Sequence, residues 1–343
     1  MSKILLVCGK FFGGGGERNF SNLLSELKLS HNVNYFLTAK KKNESKFRLI
    51  RLLKKIINLN NFINKNKVGT IISFLDYNNL FVILTKIIFR KKLKVIISER
   101  TDPYKHKPTL TFNILRTLIY NFADYLVLQD SYFKNFFWFV NKKKIKIIEN
   151  LYFKRSQSRL TTKKKTFERK KHFLYLITAG RLIQSKRILE IIKIFESINN
   201  NRLILHIYGD GPLKKEIKNF INDKKLNKSV ILKGYNKNLI NLYNKYDLFI
   251  FNSYFEGLPN VLIEASHSGL PIISFKYNPG VKKIVQNRKN GFVIHSDKEL
   301  ENKIKLLTQN KKLLRKMKNS NFHKKKEVFN NYKVMTKWRK LLS

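Results

Sequence analysis

Short apolar runs of strand type recur along this chain, and an amphipathic or loop segment separates each run from the next. This alternation is typical of a parallel β-sheet whose strands are joined by helices. The first series of runs lies at residues 3–8, 32–37, 69–74, 94–98, 125–128 and 145–148. The second series lies at residues 173–178, 203–208, 230–233, 248–251 and 272–275. The pattern therefore predicts an α/β protein with two successive doubly wound, Rossmann-like domains and a cleft between them.

A basic segment separates the two series. Residues 154–171 hold nine basic residues and one acid, Glu168, and show no apolar period, which is typical of an interdomain linker. We therefore predict an N-terminal domain over residues 1–160 and a C-terminal domain over residues 170–325. Residues 326–343 are helical in character and can pack back on the N-terminal domain. Further helices are predicted at residues 19–29, 111–122, 299–318 and 329–342.

The net charge of +49, from 71 basic and 22 acidic residues, favours anionic partners. Nucleic acid, an anionic membrane surface and a biased base composition of the genome compete as its origin. A hydrophobic content of 43% excludes a disordered chain. The single cysteine, Cys8, excludes an internal disulfide. We expect a cytoplasmic protein, because no apolar stretch approaches the ~18 residues of a membrane span and no signal peptide precedes the first run.

Residues 40–67 are the most basic part of the first domain, with ten basic residues and one acid. Apolar residues recur there at helical spacing, at Leu49, Leu52, Leu53, Ile56 and Leu59. Such a helix can lie on an anionic membrane surface. It can equally pack its apolar stripe on the sheet, and the two alternatives remain open. The aromatic run 136–139 is either an interfacial anchor or a buried cluster.

The stretch 256–264 reads Glu-Gly-Leu-Pro-Asn-Val-Leu-Ile-Glu and follows an apolar strand. Pro259 suits the first turn of a helix, since its missing N–H would have no partner there. Glu264 then lies one helical turn after Asn260, on the same face. Amides at a helix N-terminus attract phosphate, and carboxylates accept hydrogen bonds from sugar hydroxyls. This stretch suits a nucleotide sugar, although it can also be a surface loop with two solvated glutamates.

Two cations follow the first strand of the second domain. Arg181 and Lys186 flank a short loop that begins at Gly180 and leads into a helix. An arginine can bind a phosphate bidentately, and a lysine beside it acts as a point charge. We therefore predict a diphosphate clamp, while two unrelated cations are a serious alternative in so basic a chain.

Other polar and glycine-rich motifs also follow strands. Residues 13–16 are four glycines after the first strand, so the backbone there can approach a ligand closely. The turn at residues 208–212 is explained by glycine and proline without a ligand, and the backbone at Gly234 and Tyr235 could meet a nucleobase. Glu99 and Arg100 follow the fourth strand and are predicted on the acceptor side. An internal ion pair is the alternative for Arg100.

In their order and spacing, these motifs resemble the GT-B glycosyltransferases of family 4, the large retaining family called glycosyl transferases group 1. The resemblance covers roughly residues 3–295 and is specific in the second domain and looser in the first. It implies that the C-terminal domain binds a nucleotide sugar and that the N-terminal domain binds the acceptor. It also implies that Arg181 and Lys186 neutralise the diphosphate, that Glu264 holds the ribose hydroxyls and that Glu256 contacts the donor sugar.

The motifs and the resemblance together give a catalytic set and a donor-binding set. The catalytic set is Arg181, Lys186 and Glu256. The donor-binding set is Gly14, Gly15, Gly209, Gly234, Tyr235, Gly257, Leu258, Pro259, Asn260 and Glu264. Gly16 departs from the family, which often has alanine there. The family's first-domain histidine has no clear counterpart, and Glu99 can occupy comparable space.

The sequence as a whole predicts a glycosyltransferase that uses a nucleotide sugar, by resemblance a UDP-linked hexose or N-acetylhexosamine. No cofactor or metal is expected, because no histidine or acid cluster has ligand spacing. The expected acceptor is a lipid-linked glycan or surface-polysaccharide precursor at the inner face of the membrane, which the protein would touch through the segment around 40–67. A basic nucleic-acid-binding protein and a transferase acting on a soluble acceptor are the alternatives.

Overall fold

The computed structural model describes residues 3–9, 15–38, 48–106, 108–152, 168–170, 172–236, 238–254, 256–277, 280–324 and 330–343. The contacts divide the chain into two compact units. Unit 1 comprises Met1–Leu151 and Asn330–Ser343, and unit 2 comprises Tyr152–Phe329. Most of the linker predicted at 154–171 lies outside the described residues.

Unit 1 contains a six-stranded sheet in which every pair of neighbouring strands is parallel. Its strands are β1 (Lys3–Cys8), β2 (Val33–Leu37), β3 (Val68–Phe74), β4 (Lys94–Ser98), β5 (Tyr125–Leu128) and β6 (Ile145–Ile147). The order across the sheet is β2-β1-β3-β4-β5-β6. The chain therefore changes its direction of winding between β1 and β3, and such a switch point is where open α/β sheets bind ligands.

The described residues of unit 1 form five α-helices. They are α1 (Gly15–Leu27), α2 (Arg48–Asn66), α3 (Asp76–Ile88), α4 (Leu110–Ile119) and the last helix of the chain, Asn331–Leu342. Helix α3 packs between α2 and α4. The apolar stripe predicted in α2 is only partly buried. Ile56 and Leu59 are buried, whereas Leu52 and Leu53 are 36% and 48% exposed.

The last helix packs on unit 1 with four buried side chains, of which the largest is Trp338: Val334, Met335, Trp338 and Leu341. Trp338 is 1% exposed and lies 6.4 Å from the Phe74 ring, centroid to centroid. The ammonium of Lys94 donates a hydrogen bond to the carbonyl of Leu341 at 3.2 Å. The C-terminal segment therefore completes the core of the first unit.

Unit 2 contains a second parallel sheet of six strands. Its strands are β7 (Leu174–Ala179), β8 (Leu203–Tyr208), β9 (Val230–Gly234), β10 (Leu248–Phe251), β11 (Ile272–Phe275) and β12 (Gly291–Ile294). The order is β12-β11-β10-β7-β8-β9, so the direction of winding changes between β7 and β10. The predicted architecture of two doubly wound α/β sheets is confirmed.

The helices of unit 2 cover both faces of this sheet, as the crossover connections of a parallel sheet require. They are α5 (Ile188–Ile198), α6 (Lys214–Asp223), α7 (Asn260–His267), α8 (Val281–Ile284), α9 (Asp297–Gln309) and α10 (Lys311–Lys324). The last helix of the chain, Asn331–Leu342 in unit 1, is therefore α11.

The structure departs from the prediction at one unpredicted strand and at the bounds of several helices. Strand β12 was not predicted, because it begins within the pair Asn290-Gly291, which in a sequence indicates a turn. The single helix predicted at 299–318 is two helices, since Asn310, with φ −113° and ψ 80°, breaks the helical backbone. The helix predicted at 111–122 ends at Ile119, and Tyr120–Phe122 continue as a 3₁₀ helix.

Candidate functional site

The loops after β7, β8 and β9 are joined to one another at the carboxyl edge of the unit 2 sheet. The amide of Gly180 donates to the carbonyl of Tyr208 at 3.0 Å, and the amide of Gly209 donates to that of Gly234 at 2.9 Å. Gly209 has φ 145°, and a Cβ added there would overlap the carbonyl oxygen of Gly180. A Cβ on Gly211 would overlap the carbonyl oxygen of Leu182. These two glycines therefore allow the turn after β8 to lie directly against the loop that carries Arg181.

Arg181 and Lys186 occupy this loop but have different surroundings. The Arg181 side chain is exposed, and within the described residues its guanidinium makes no hydrogen bond or ion pair. The Lys186 ammonium forms an ion pair with Glu256 and lies 3.3 Å from the Ser253 hydroxyl. The stem of Lys186 lies over Gly180, where an added Cβ would be 3.7 Å from Cδ. One cation is therefore paired, and the other is available to an anion.

The pair forms at the switch point of the unit 2 sheet. Lys186 follows β7, whereas Ser253 and Glu256 follow β10, and these strands are neighbours in the sheet. Asn252, directly after β10, is 1% exposed, and neither polar atom of its side chain has a partner in the described residues. Ligands bind at this position in open α/β sheets because two loops diverge there and leave a crevice.

Helix α7 brings the second predicted carboxylate to the same edge. Pro259 is the N-cap residue, with φ −74° and ψ 109°, and Asn260 begins the helix. Glu264, one turn later, is 8% exposed, and the Tyr243 hydroxyl lies 3.5 Å from its Oε2. Burial, with the charge of Glu264 as a smaller cause, raises the pKa of Tyr152 to about 12. Glu264 is therefore a carboxylate in a largely desolvated, tyrosine-lined position.

The remaining predicted donor contacts in unit 2 surround these loops. Gly257 and Leu258 are buried, and a Cβ on Gly280 would come within 2.9 Å of the Gly257 carbonyl. Gly234 has φ 68° and open space where a Cβ would be, while the neighbouring Tyr235 is 62% exposed. The contact of this backbone with a nucleobase stays a prediction, and the exposed tyrosine ring beside it is suited to stacking on a base.

In unit 1, Glu99 is a buried carboxylate with a strongly shifted pKa. It is 6% exposed, accepts a hydrogen bond from the Tyr120 hydroxyl and accepts another from the Asn79 amide at 3.1 Å. Burial, with a smaller contribution from the Asp76 charge, raises the pKa of Glu99 from 4.5 to about 7. A carboxyl group of this kind can hold or release a proton near neutral pH.

Asp76 and His106 form a second polar pair beside Glu99. The His106 Nε2 lies 2.9 Å from Asp76 Oδ2, and this hydrogen bond raises the pKa of His106. Asp76 begins α3 directly after Leu75, which has φ 74° and ψ 146°. That backbone region is essentially restricted to glycine, and strain of this kind clusters at functional positions. The histidine that could not be assigned in the sequence thus has a candidate in His106.

Arg100 points into unit 1 instead of toward solvent. Its NH1 donates to Asn150 Oδ1 at 3.0 Å and lies 3.4 Å from the carbonyl of Ile148. The guanidinium lies over the rings of Phe74 and Trp338, at 5.4 and 5.9 Å. Burial lowers the pKa of Arg100 to about 9. Arg100 therefore has a structural role in unit 1. Among the residues that the structure describes, it does not form the ion pair with a carboxylate that was the alternative, and its acceptor contact stays a prediction.

The glycine-rich loop of unit 1 is only partly described. Gly14 lies outside the described residues, and Gly15 is the first residue of α1. A Cβ on Gly16 would approach Leu75 Cδ2 to 2.8 Å, so the start of α1 packs against the strained loop after β3. These two loops follow β1 and β3, the neighbours at the switch point of the unit 1 sheet.

Sequence reasoning missed several polar residues of these two clusters: Asp76, Asn79, His106, Tyr243, Asn252 and Ser253. Asp76 and Ser253 carried a usable signal, because each lies two residues after the end of an apolar strand. Tyr243 had none, because it lies in the 3₁₀ helix Leu239–Lys245 and reaches Glu264 only through the tertiary fold.

The charge pattern in unit 2 suits an anionic ligand with hydroxyl groups. A free guanidinium, a lysine and helix-start amides can stabilise a diphosphate, and the two carboxylates can accept hydrogen bonds from sugar hydroxyls. Among the described residues, histidine, cysteine and acidic side chains do not gather into a group of three that could hold a metal ion. None of the helices in the described ranges has both the length and the apolar character of a membrane span.

Comparisons with known proteins agree with this geometry. Residues 159–324 match the model of the family described as glycosyl transferases group 1. A Campylobacter jejuni alpha-1,4-N-acetyl-D-galactosaminyltransferase, named for a GalNAc-GalNAc-diNAcBac-PP-undecaprenol acceptor, is 27% identical over 100% of this chain and 99% of its own. A second transferase from the same organism, named for a diacetylbacillosaminyl-diphospho-undecaprenol acceptor, is 24% identical over 93% of each chain.

Among solved structures, HepE of Anabaena in complex with UDP has a similar fold. Its TM-score is 0.74 at 16% sequence identity, over 100% of this chain and 99% of that one. The predicted GT-B fold is therefore confirmed. The family match and the arrangement of strands and loops lead to one conclusion: the chain is a glycosyltransferase whose residues 159–324 belong to the glycosyl transferases group 1 family.

Proposed function

We propose that this protein is a retaining glycosyltransferase that moves a sugar from a UDP-sugar to a lipid-linked glycan at the inner face of a membrane. Unit 2 binds the donor, and unit 1 binds the acceptor. The observation that carries the proposal is the group formed by the exposed Arg181 and the Lys186–Glu256 pair at the switch point of the unit 2 sheet. HepE, which binds UDP, supports the choice of nucleotide.

The donor fits this group of residues from one end to the other. Tyr235 offers a ring face to the uracil, and Glu264 accepts hydrogen bonds from the ribose hydroxyls. Arg181 and Lys186 bind the diphosphate, and Glu256 accepts a hydrogen bond from the sugar.

The reaction breaks the bond between the anomeric carbon and the β-phosphate oxygen. Negative charge grows on the leaving diphosphate, where Arg181, Lys186 and the first amides of α7 stabilise it. The acceptor hydroxyl attacks from the same face, its oxygen bonds to the anomeric carbon, and its proton passes to the leaving phosphate. Glu256 serves as a hydrogen-bond acceptor for the sugar and not as a nucleophile, since its carboxylate is already paired with Lys186.

The lipid-linked acceptor is supported by the two Campylobacter jejuni relatives, whose names give undecaprenol diphosphate carriers. The net charge of +49 and the basic segment around 40–67 would hold the protein at an anionic membrane surface. Within α2, Ile50, Leu53 and Ile57 are 44%, 48% and 49% exposed, so part of this helix is free to touch lipid.

The test is a direct transfer assay. Nucleotide sugars are screened by thermal shift, and the stabilising donors are then offered with a polyprenyl-diphosphate-linked glycan or with the same glycan lacking its lipid. We expect product, detected by mass, only with a UDP-sugar and mainly with the lipid-linked acceptor. Equal transfer to the glycan without lipid would assign a soluble acceptor instead.

Arg181→Ala tests the role of the clamp. Because Arg181 acts on charge that develops as the bond breaks, kcat should fall by about 10²- to 10³-fold while donor affinity changes little. Arg202→Ala is the matched control, since Arg202 is exposed on the same unit but precedes β8, at the opposite edge of the sheet. Near-normal turnover by Arg181→Ala would refute the assignment.

A further inference from the structure

Helix α4 has its polar and apolar residues on unexpected sides. Of its ten residues, Phe112 and Arg116 are buried, so a charged side chain faces the core. The aliphatic residues Leu110, Ile114 and Leu118 are 76%, 52% and 64% exposed. An ordinary amphipathic helix buries its leucines and exposes its arginine. The exposed residues recur every four positions, so they form one continuous stripe along the helix.

Arg116 is fixed in its buried position by aromatic rings. Its guanidinium lies 4.8 Å from the centre of the Phe136 ring and 5.8 Å from that of Phe137, and its NH2 donates to Asn113 at 2.8 Å. Phe136 and Phe137 belong to the 3₁₀ helix Ser131–Phe137, which the arginine thus holds against α4. The inverted orientation of the helix is therefore built into the packing of unit 1.

The stripe continues into the residues that follow. Phe122 is 54% exposed and Trp138 is 78% exposed. The Asn121 side chain donates to the carbonyl of Phe139 at 2.6 Å and accepts from the amide of Asn141 at 3.0 Å. These bonds join the chain beside Phe122 to the chain beside Trp138. We call the combined patch the α4 surface: Leu110, Ile114, Leu118, Phe122 and Trp138.

The charges around the α4 surface are positive. Lys134, Lys142 and Lys143 are exposed on the adjoining turns. The sequence from 105 to 144 holds two acids, Asp124 and Asp130. Asp124 pairs with Lys86 at 2.8 Å, and Asp130 accepts from the amide of Tyr132 at 2.8 Å. The rim of the patch thus offers cations, while both acids of the segment already have partners.

From these observations we infer that the α4 surface inserts into the interface of an anionic lipid bilayer. Aliphatic side chains with an exposed tryptophan and a rim of lysines match the boundary between acyl chains and acidic headgroups. Nucleic acid offers the aliphatic stripe nothing to contact. A second copy of this chain would bring a net charge of +49 against an equal charge. The inference rests on the proposed function for the membrane as partner, and it adds α4 to the basic segment around 40–67.

The two tryptophans of the chain make the test simple. Trp338 is buried at 1% exposure, so a change in emission on binding reports Trp138. The full chain is titrated with vesicles of phosphatidylcholine alone and of an equal mixture with phosphatidylglycerol. We expect a blue shift of emission with the anionic vesicles at low salt, quenching by brominated acyl chains, and neither effect in Trp138→Phe.

Substitutions in the stripe provide the second arm. Ile114→Glu combined with Leu118→Glu should reduce partitioning into anionic vesicles by about tenfold or more, since each change removes a large apolar side chain from the contact. Leu29→Glu is the matched control, because Leu29 is 80% exposed at the end of α1 and lies outside the α4 surface. Donor hydrolysis and transfer to a soluble glycan should be unchanged in the double variant, which also shows that it folds.

Several outcomes would overturn the inference. One is an unshifted Trp138 emission in the presence of anionic vesicles, and another is equal vesicle binding by the double variant. If wild-type protein is a dimer that the double variant dissociates without loss of vesicle binding, the α4 surface is a protein interface instead. If vesicle binding depends on the stripe but no lipid-linked acceptor is used, the proposed function fails and the membrane surface stands.

Discussion

Lys186 has two possible anionic partners, Glu256 and the diphosphate of the donor. In the structure it is paired with Glu256, and both side chains are largely shielded, at 18% and 27% exposure. The diphosphate must therefore compete with a carboxylate for the same ammonium. Because of this competition, removing the Glu256 charge should affect UDP binding and sugar transfer in opposite directions.

Glu256→Gln should tighten binding of UDP by about fivefold, since a partly shielded ion pair of this kind is worth roughly 1 kcal/mol. Transfer of the sugar should fall at the same time, because the contact to the sugar hydroxyl is weakened. Calorimetric titration with UDP and a transfer assay measure the two effects separately. Glu190→Gln, in α5, is a control from the same unit, and weaker binding of UDP by Glu256→Gln would contradict the competition.

Glu99 should make the stability of unit 1 depend on pH. Its pKa is about 7 in the folded protein and 4.5 in the absence of the fold, so the folded state holds the proton more tightly. The free energy of unfolding therefore falls as the pH rises from about 4.5 to about 7 and stays lower above that. The fall amounts to roughly 3 kcal/mol.

Glu99→Gln should abolish this fall and make the protein more stable than wild type above pH 7. Denaturant unfolding curves at a series of pH values measure the free energy of unfolding of both proteins. Glu216→Gln is the control, because Glu216 is exposed in α6. An identical pH dependence in wild type and Glu99→Gln would show that the carboxyl group titrates as it does in solvent.

At the scale of single elements, the turn after β8 positions the clamp. Gly209→Ala should displace the Gly180 carbonyl, because the added methyl cannot fit between the two loops. We expect a loss of roughly 3 kcal/mol or more in the stability of unit 2, together with a loss of transfer. Gly234→Ala is the control: its φ is 68° but its surroundings are open, so backbone strain alone should cost about 1 kcal/mol. Thermal melts of both variants distinguish overlap from strain.

The sequence predicted most strands because apolar runs and the polar residues after them are local features. It placed Glu256 and Lys186 each in a loop after a strand, and only the family resemblance assigned them to one donor site. The inversion of α4 was not predictable, since Arg116 is buried by Phe136 and Phe137 from a later segment. The His106–Asp76 pair was missed for the same reason: its partners are 30 residues apart and meet only in the fold.

At the scale of the whole molecule, α11 should determine the stability of unit 1 without affecting unit 2. Trp338→Ala would leave a cavity beside Phe74 and remove a ring from the Arg100 guanidinium. We expect a cost of about 3–5 kcal/mol. Hydrogen exchange should rise in β3 and β4 and stay unchanged in β7 and β8. Tyr332→Ala is the matched control in the same helix, because Tyr332 is 73% exposed. A uniform rise in exchange across both units would contradict this assignment.

The position of α11 also has a consequence for biosynthesis. Residues 330–343 leave the ribosome only after all of unit 2 has been made, although they belong to the core of unit 1. Trp338 emerges 264 residues after Phe74, a delay on the order of tens of seconds at typical rates of translation. During that time the core of unit 1 lacks α11, while unit 2, which is one continuous segment, can already fold. We therefore expect unit 1 to complete its fold after unit 2, in the reverse of the order of synthesis.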